Sequence, residues 1–359
     1  MAQVGRSLTS DLDGESMSAQ TAGPETLGHL SDEPPQQQPQ DNKKAKAITG
    51  KSPMRIAMGR LARDKIAMVC AAVVVLFVLI AVFAGAICSF FNVSTDTVLP
   101  SQYLDTLGGG LPLPEYGPPN GGFTIDHPFG IAPQSATDNL AFWVYGARTS
   151  LEISFTATLF ASFFGILMGL IAGFVGGVVD KSISFLIDLF LTIPFLLAGL
   201  VIAPIINQNF NASDNYPRIQ FWALIVVLAG FGWMGVARLI RGEVLSLRER
   251  EFVQAARVIG MPTRRILVKE LLPNLAAPIV VSISLMLPTF VAAEAGFAYL
   301  GIGVTSGISW GQTINKATPF FESYPLYLWE PVIGIVALVL ALNLLGDAIR
   351  DALDPKTRR

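Results

Sequence analysis

Long apolar runs recur along this sequence, and they limit its possible folds more than any other feature. The first covers residues 66–91 and holds 26 residues without a charge. An apolar helix of about 20 residues crosses a bilayer, and a composition of 52% hydrophobic and 14% charged residues excludes a soluble globular protein. We therefore predict an all-α integral membrane protein with six transmembrane helices. After the first, the spans are predicted at about residues 153–179, 183–206, 221–240, 275–300 and 331–345.

The basic residues predict how these spans are oriented. All but three of the 25 Lys and Arg residues fall on one side of the predicted membrane, and the exceptions are Arg148, Arg218 and Lys316. Basic residues accumulate on the cytoplasmic side of membrane proteins. We therefore expect a multi-pass membrane protein with both termini in the cytoplasm.

Changes in composition divide the chain into segments. Residues 1–50 are rich in Gln, Pro, Ser and Asp without apolar periodicity, which is typical of a disordered tail. Residues 92–147 carry acidic residues but no Lys or Arg, which favours an extracytoplasmic loop. The other predicted segments are an amphipathic entry helix at 51–65, the first transmembrane helix at 66–91, a core at 148–346 containing a cytoplasmic loop at 241–274, and a cytoplasmic C-terminal tail at 347–359.

The second predicted span contains small residues at every fourth position. They are Ala161, Gly165, Gly169, Gly173 and Gly177. Residues four apart lie on one face of a helix, and small residues on such a face let two membrane helices approach closely. We predict that this face packs against a neighbouring span.

Two acidic residues fall inside predicted spans. Asp188 is the sixth residue of the third span, and Glu294 lies six residues before the end of the fifth. Ionisable residues within the membrane often mark a transport pathway, so both are candidates for lining one. Both are also close enough to a span end to be capped structural groups. An ion-coupled secondary transporter is the alternative function, although it would require several such residues and helices broken near the midplane.

The sequence offers no group suited to catalysis. His29 and His127 are too far apart in the chain to indicate a metal site, and Cys70 and Cys88 fall on one predicted helix roughly 27 Å apart, too far to form a disulfide. Residues 49–52 resemble the end of a phosphate-binding loop, but Ala45 stands where that loop needs glycine. We expect no catalytic residue, no metal and no cofactor in this chain.

Residues 251–273 combine features that no other part of the chain has. They predict two short helices: Gly260 is suited to end the first, Pro262 to begin the second and Pro273 to stop it. An apolar stripe is predicted on the first helix, formed by Phe252, Ala255, Ala256 and Ile259.

Two interpretations of this stretch are open from its own residues. The small pair Ala255–Ala256 would let a groove on another protein close around the helix. Basic residues such as Arg264 and Arg265 would also suit a soluble helix–turn–helix that binds DNA. Apolar spans flank the stretch on both sides, so we interpret it as a loop at the membrane surface and expect no nucleic-acid partner.

Several motifs together resemble the permease subunits of bacterial ABC importers, in particular the C-type subunit of oligopeptide, dipeptide and nickel systems. The cytoplasmic loop of that family carries E-A-A, then glycine, then proline after a second helix; here these are residues 254–256, Gly260 and Pro273. Gln254 replaces the usual acidic residue. Further similar stretches are GRLARDK at 59–65, HPFG at 127–130, YGARTSL at 145–151 and SWG at 309–311. The last similar stretch, at 346–355, begins with GD and ends with RDALDP.

The resemblance implies a type I ABC importer permease fold in which residues 251–273 form a cytoplasmic coupling helix. It also implies that the protein lies in the bacterial cytoplasmic (inner) membrane. The partners it implies are a second permease in a heterodimer, two ATPase subunits that hold ATP and magnesium, and an extracytoplasmic substrate-binding protein. Oligopeptides or dipeptides are the expected solutes, with nickel or another small solute as the alternative. The residues expected to contact the ATPase are Gln254, Ala255, Ala256, Ile259, Gly260, Pro262 and Pro273.

Overall fold

The computed structural model describes residues 53–97, 100–117, 124–210, 212–303 and 307–354, and these are mostly helical. The tail predicted for residues 1–50 lies outside the described residues. The first elements are α1 (Pro53–Leu61), α2 (Lys65–Val82), α3 (Ala84–Phe90), α4 (Pro100–Tyr103), β1 (Leu104–Asp105) and β2 (Leu111–Pro112). They are followed by α5 (Asn139–Val175), α6 (Gly177–Leu191), α7 (Phe195–Phe210), α8 (Tyr216–Leu247) and α9 (Glu251–Val258). The last are α10 (Thr263–Arg265), a π-helical segment (Ile266–Leu271), α11 (Leu272–Asn274), α12 (Ala276–Tyr299), α13 (Trp310–Ala317), a 3₁₀ turn (Thr318–Phe320) and α14 (Pro325–Leu353).

The N-terminal helices are more divided than the sequence predicts. Asp64 begins α2 as its N-cap, because its carboxylate accepts hydrogen bonds from two backbone N–H groups at 2.9 and 3.3 Å. In the entry segment predicted at 51–65, helix α1 ends at Leu61, and α2 begins at Lys65. The helix predicted for 66–91 is interrupted at Phe83 alone, and hydrogen bonds of helical spacing continue across it, from Phe83 N to the Leu79 carbonyl at 2.8 Å and from Ile87 N to the Phe83 carbonyl at 2.9 Å. Ala84 and Cys88 of α3 are buried in a cluster with residues at the start of α5.

The longest helix pair is α5 with α8. Asp138 begins α5 as its N-cap and accepts a hydrogen bond of 2.9 Å from the backbone N–H of Ala141. The helix therefore starts well before the predicted span, and residues 139–147 are helical although they were predicted to be loop. At 37 residues it extends about 55 Å. Gly176, with φ 72°, ends it.

The third predicted span is a bent pair of helices. Residues Gly177–Leu191 and Phe195–Ile202 meet at an angle of 77°, with Pro194 in the break between them. By length and composition, five helices of the described residues can cross a membrane, and this pair brings the number to six if it counts as one span. The predicted number of six therefore depends on a span that is not straight.

The last span is longer than its apolar run. Helix α14 has 29 residues, so it is not the shortest span, and it continues to Leu353 through part of the tail predicted at 347–359. Two tryptophans join it to α5 and α13: Trp310 Nε1 donates to the carbonyl of Trp143 at 2.9 Å, and Trp143 Nε1 donates to the carbonyl of Glu330 at 3.0 Å. Trp310 is fully buried.

A small segment covers the start of α5. Strands β1 and β2 form a two-residue antiparallel pair, and Leu104, Ile131 and Ala136 form its core. Nδ1 of His127 lies 2.7 Å from a carboxylate oxygen of Asp138, and both side chains are buried. His127 thus has a structural partner at the N-terminus of α5.

Candidate functional site

The loop between α8 and α12 is folded around a helix end at Gly260. The N–H of Gly260 donates to the carbonyl of Arg257 at 2.9 Å, and the N–H of Met261 donates to the carbonyl of Ala256 at 3.0 Å. This hydrogen-bond pair is the Schellman motif, which requires a left-handed residue after the helix. Gly260 has φ 79° and supplies it. The helix end predicted at Gly260 is therefore present, and Ile259 is the C-cap of α9.

Two faces of α9 have different environments. Val253 and Ala256 are buried in a cluster that also contains residues from α5, α8 and the π-helical segment. The other members of this cluster are Leu170, Val236, Ile240, Val244, Ile266, Leu271 and Leu275. Because these side chains come from the ends of membrane helices, α9 is held against them by its own apolar packing.

The opposite face of α9 is apolar and exposed. Val258 is 88% exposed, Ile259 is 81% exposed and Phe252 is 39% exposed, and Ala255 lies on the same exposed side. Large exposed apolar groups on a polar loop indicate a contact with another protein. We define Phe252, Ala255, Val258 and Ile259 as the α9 face.

The position of Ala256 corrects one sequence-based expectation. We expected Ala255 and Ala256 to fit together into a groove on a partner, but Ala256 is only 5% exposed and contacts its own chain. The apolar stripe predicted from the sequence therefore divides between an inner and an outer face. Val258 was missed, although it follows Ala255 by three residues and its position on the same face could have been found. Gln254 is exposed on α9.

The two prolines of the loop have different positions from those predicted. Pro262 is the N-cap of α10 and not its first helical residue, and its carbonyl accepts from the N–H of Ile266 at 3.2 Å. Pro273 does not stop the second helix, because the chain continues through α11 into α12. The π-helical segment directly before α11 changes the hydrogen-bond register where the proline has no N–H to donate.

Arginine side chains connect the loop to α5. Nη1 of Arg248 donates to the carbonyl of Gly173 at 3.1 Å. The guanidinium of Arg257 lies 4.7 Å from the centre of the Phe174 ring, a cation–π distance. Both contacts reach the last turn of α5, whose carbonyls have no partner within the helix. The loop is thereby fixed to the end of a spanning helix by polar as well as apolar contacts.

The glycines of α5 lie against α8. A Cβ atom added to any of the three glycines would lie 2.7 Å from an atom of α8. That atom is the carbonyl oxygen of Trp233 for Gly165, the carbonyl oxygen of Ala237 for Gly169 and Cβ of Val244 for Gly173. Ala161 is fully buried one turn earlier. Gly177 does not continue this row, because it lies beyond the end of α5, has φ 60° and has no atom within 4 Å of an added Cβ.

The acidic residues of the spans have unlike environments. Asp188 of α6 pairs with Arg238 of α8, and both side chains are more than half exposed. Asp180 pairs with Arg241 in a less exposed position, and Nη2 of Arg241 donates to Oδ2 of Asp180 at 2.8 Å. The sequence analysis missed this pair.

Glu294 differs because it is fully buried. The hydroxyl groups of Ser150 and Ser309 face its carboxyl group. Neither carboxyl oxygen makes a hydrogen bond to the described residues in this conformation. The structure thus places Glu294 inside the packing of α5, α12 and α13, and it does not bring Glu294 together with Asp188.

Comparison with known proteins assigns a family to this arrangement. Residues 165–359 match the family described as binding-protein-dependent transport system inner membrane component. The chain belongs to this family. Residues 52–102 of the permease match a second model, the N-terminal transmembrane domain of oligopeptide transport permease C. The matched regions include α2, the C-terminal part of α5 from residue 165 and the whole loop between α8 and α12.

Relatives of the permease match over nearly their whole length. A dipeptide transport system permease protein of Alkalihalophilus pseudofirmus is 33% identical over 330 residues, which cover 92% of this chain and 97% of that protein. Oligopeptide transport system permease proteins of Bacillus subtilis and Escherichia coli are each 31% identical, covering 84% and 87% of this chain and 90% and 94% of the relatives. A chain of the inward-facing MetNI methionine ABC transporter is a more distant likeness, with a TM-score of 0.47 and 22% identity over 59% of this chain and 96% of that chain.

Family membership decides the general role of the protein. It is a multi-pass permease subunit of an ABC importer in the inner membrane, with the helical type I permease fold. Permeases of this kind act with ATPase and substrate-binding partners. The secondary-transporter alternative is therefore excluded in favour of the ABC permease.

Proposed function

We propose that this permease imports oligopeptides or dipeptides and forms one half of a heterodimeric translocation pathway. Support for the solute comes from its relatives, which are named for dipeptide or oligopeptide transport. The other half would be a second permease. Two ATPase subunits, carrying ATP and magnesium, and an extracytoplasmic binding protein complete the proposed importer, and both termini of this chain lie in the cytoplasm.

We further propose that residues 251–273 are the coupling helix of the importer. The observation that carries this proposal is the α9 face, where Val258 and Ile259 are almost completely exposed on a helix whose other side is firmly packed. Such a helix can contact an ATPase subunit and move only together with the spans that hold it. We expect Gln254, Gly260, Pro262 and Pro273, all exposed, to border this contact.

The route of coupling follows from the contacts of the loop. Force on α9 reaches α5 and α8 through the buried cluster and through Arg248 and Arg257. Helices α5 and α8 are themselves closely packed through glycine, so they would move as one body. ATP-driven closure of the ATPase pair would thereby alternate the access of the pathway between the two sides of the membrane.

The α9 face can be tested by adding charge to it. We expect the double variant Val258→Asp, Ile259→Asp to lose the ATPase subunits during purification, while the permease pair still forms. Met58→Asp is the control, because Met58 is also exposed, at 67%, but lies in α1, outside residues 251–273. Full retention of the ATPase and normal peptide uptake in the double variant would rule out this face as the coupling surface.

The solute is tested separately. The binding protein that associates with the purified importer should retain oligopeptides or dipeptides, which mass spectrometry of the released ligand would identify. A retained nickel complex would instead overturn the peptide assignment and leave the coupling proposal unaffected.

A further inference from the structure

A groove lies at the surface of the chain between α2 and α5, and Leu287 of α12 and Leu342 of α14 also line it. Its volume is about 450 Å³, within the range of small-molecule sites. Apolar side chains line most of it, including Val74, Val78 and Val82 from α2 and Leu151 and Phe155 from α5. Val82 and Phe155 are 65% and 62% exposed, so the groove is open to the surroundings of the protein.

A pair of charged side chains lies at this groove. Nε of Arg148 donates to a carboxylate oxygen of Glu152 at 2.8 Å, and both residues line the groove. Each side chain is about half exposed, at 47% and 50%. Among the described residues, the Nη groups of Arg148 and the second carboxylate oxygen of Glu152 make no hydrogen bond. A donor set and an acceptor therefore remain available side by side.

The position of this pair along α5 matches one surface of a bilayer. Arg148 precedes Val175, the last residue of α5, by 27 residues, which is about 40 Å of helix. A bilayer measures about 40–45 Å including both headgroup regions. Since the other end of α5 is joined to the polar loop through Gly173, Arg148 lies at the level of the opposite headgroups. The apolar part of the groove then lies at the depth of the acyl chains.

We propose that this groove binds one phospholipid with a zwitterionic headgroup. One acyl chain lies in the groove between α2 and α5, the phosphate accepts hydrogen bonds from Arg148, and the ammonium group donates to Glu152. The equal and opposite charges of the pair complement a neutral phosphate–ammonium headgroup better than a purely anionic one. The proposal requires only that the chain spans a membrane, so it is independent of the transported solute.

The groove is tested with a photoactivatable probe. The assembled importer is placed in vesicles of phosphatidylethanolamine and phosphatidylglycerol in equal amounts, and either lipid carries a diazirine on one acyl chain. Crosslinked peptides are then identified by mass spectrometry. We expect phosphatidylethanolamine to label the groove residues of α2 and α5 preferentially. Uniform labelling around α2, or no lipid label on the groove residues, would overturn the proposal.

Matched variants separate a bound lipid from ordinary surrounding lipid. Val78→Trp fills the groove and should lower its labelling roughly tenfold. Leu76→Trp is the control, because Leu76 is 54% exposed but lies on the other side of α2, and its labelling pattern should equal the wild type. Unchanged groove labelling in Val78→Trp would contradict the proposed position of the acyl chain.

The headgroup assignment has its own test, which does not depend on whether Val78→Trp folds. Arg148→Gln and Glu152→Gln change half-exposed side chains, and each should lower phosphatidylethanolamine labelling by roughly two- to fivefold, as expected for an exposed ionic contact. Glu152→Gln should also shift the preference towards phosphatidylglycerol. Equal labelling by the two lipids in the wild type would overturn the zwitterionic assignment.

Discussion

Arg248 joins the loop after α8 to the end of α5 by donating a hydrogen bond from Nη1 to the carbonyl of Gly173 at 3.1 Å. The contact crosses 75 residues of sequence, and it lies beside the glycine row that packs α5 against α8. The loop is thus attached to two spanning helices at this point. This contact and the α9 face are the basis of the following predictions.

Removing this hydrogen bond should weaken coupling more than assembly. We expect Arg248→Gln to cost about 1 kcal/mol at the junction and to reduce hydrolysis that is stimulated by loaded binding protein, while the ATPase subunits stay bound. Arg250→Gln is the control, since Arg250 is exposed. Measurement of stimulated ATP hydrolysis in the purified importer checks this, and equal rates in both variants would contradict the proposed route.

A larger side chain at Gly169 should separate α5 from α8. An added Cβ would lie 2.7 Å from the carbonyl oxygen of Ala237, so Gly169→Leu should destabilise the protein by about 1–3 kcal/mol or more. Gly242→Ala is the control on α8, because its added Cβ meets no atom within 4 Å. The yield and thermal stability of the purified importer are the measurements. Normal values for Gly169→Leu would show that the two helices separate easily.

The Schellman motif should make Gly260 sensitive to the backbone conformation of its replacement. With φ 79°, Gly260→Val should destabilise the loop by about 1–2 kcal/mol and uncouple transport from hydrolysis. Gly260→Asn should be milder, because asparagine adopts the left-handed conformation more readily. Space is not the cause, since an added Cβ meets nothing within 4 Å. Peptide uptake in cells distinguishes the two, and equal uptake would contradict the argument.

Glu294 should tolerate a neutral replacement of its own size but not a positive charge. It is fully buried, and no carboxyl oxygen has a hydrogen-bond partner among the described residues. We expect Glu294→Gln to retain assembly, whereas Glu294→Lys would bury an unpaired cation and prevent it. Thermal unfolding of the purified importer tests this. Severe destabilisation by Glu294→Gln would instead indicate that the negative charge itself is required.

The proposed orientation predicts labelling from opposite sides of the membrane. Glu115→Cys should react with an impermeant thiol reagent added to intact cells, and Pro262→Cys should react only after the cells are opened. Both positions are exposed, while the native Cys70 and Cys88 are buried and should give little background. Reaction of both introduced cysteines from outside would overturn the orientation.

Local chemistry was sufficient for much of this fold. Apolar runs long enough to span a bilayer predicted the membrane class, and the four-residue spacing of Gly165, Gly169 and Gly173 predicted a close contact, because helical periodicity depends only on neighbouring residues. Gly260 likewise was recognised as a helix end from its residue type. The motifs at 254–256 and 346–355 predicted the family.

Only the tertiary structure decided which surface each helix presents and where several helices end. Ala256 and Ile259 belong to one apolar stripe in the sequence, yet one is buried and the other 81% exposed, because the ends of α5 and α8 cover just one side of α9. Helix α14 likewise extends to Leu353, beyond the apolar run at 331–345 from which the span was predicted. Hydropathy measures the affinity of a segment for the membrane, but the direction of a side chain is fixed by the neighbours that it meets after folding.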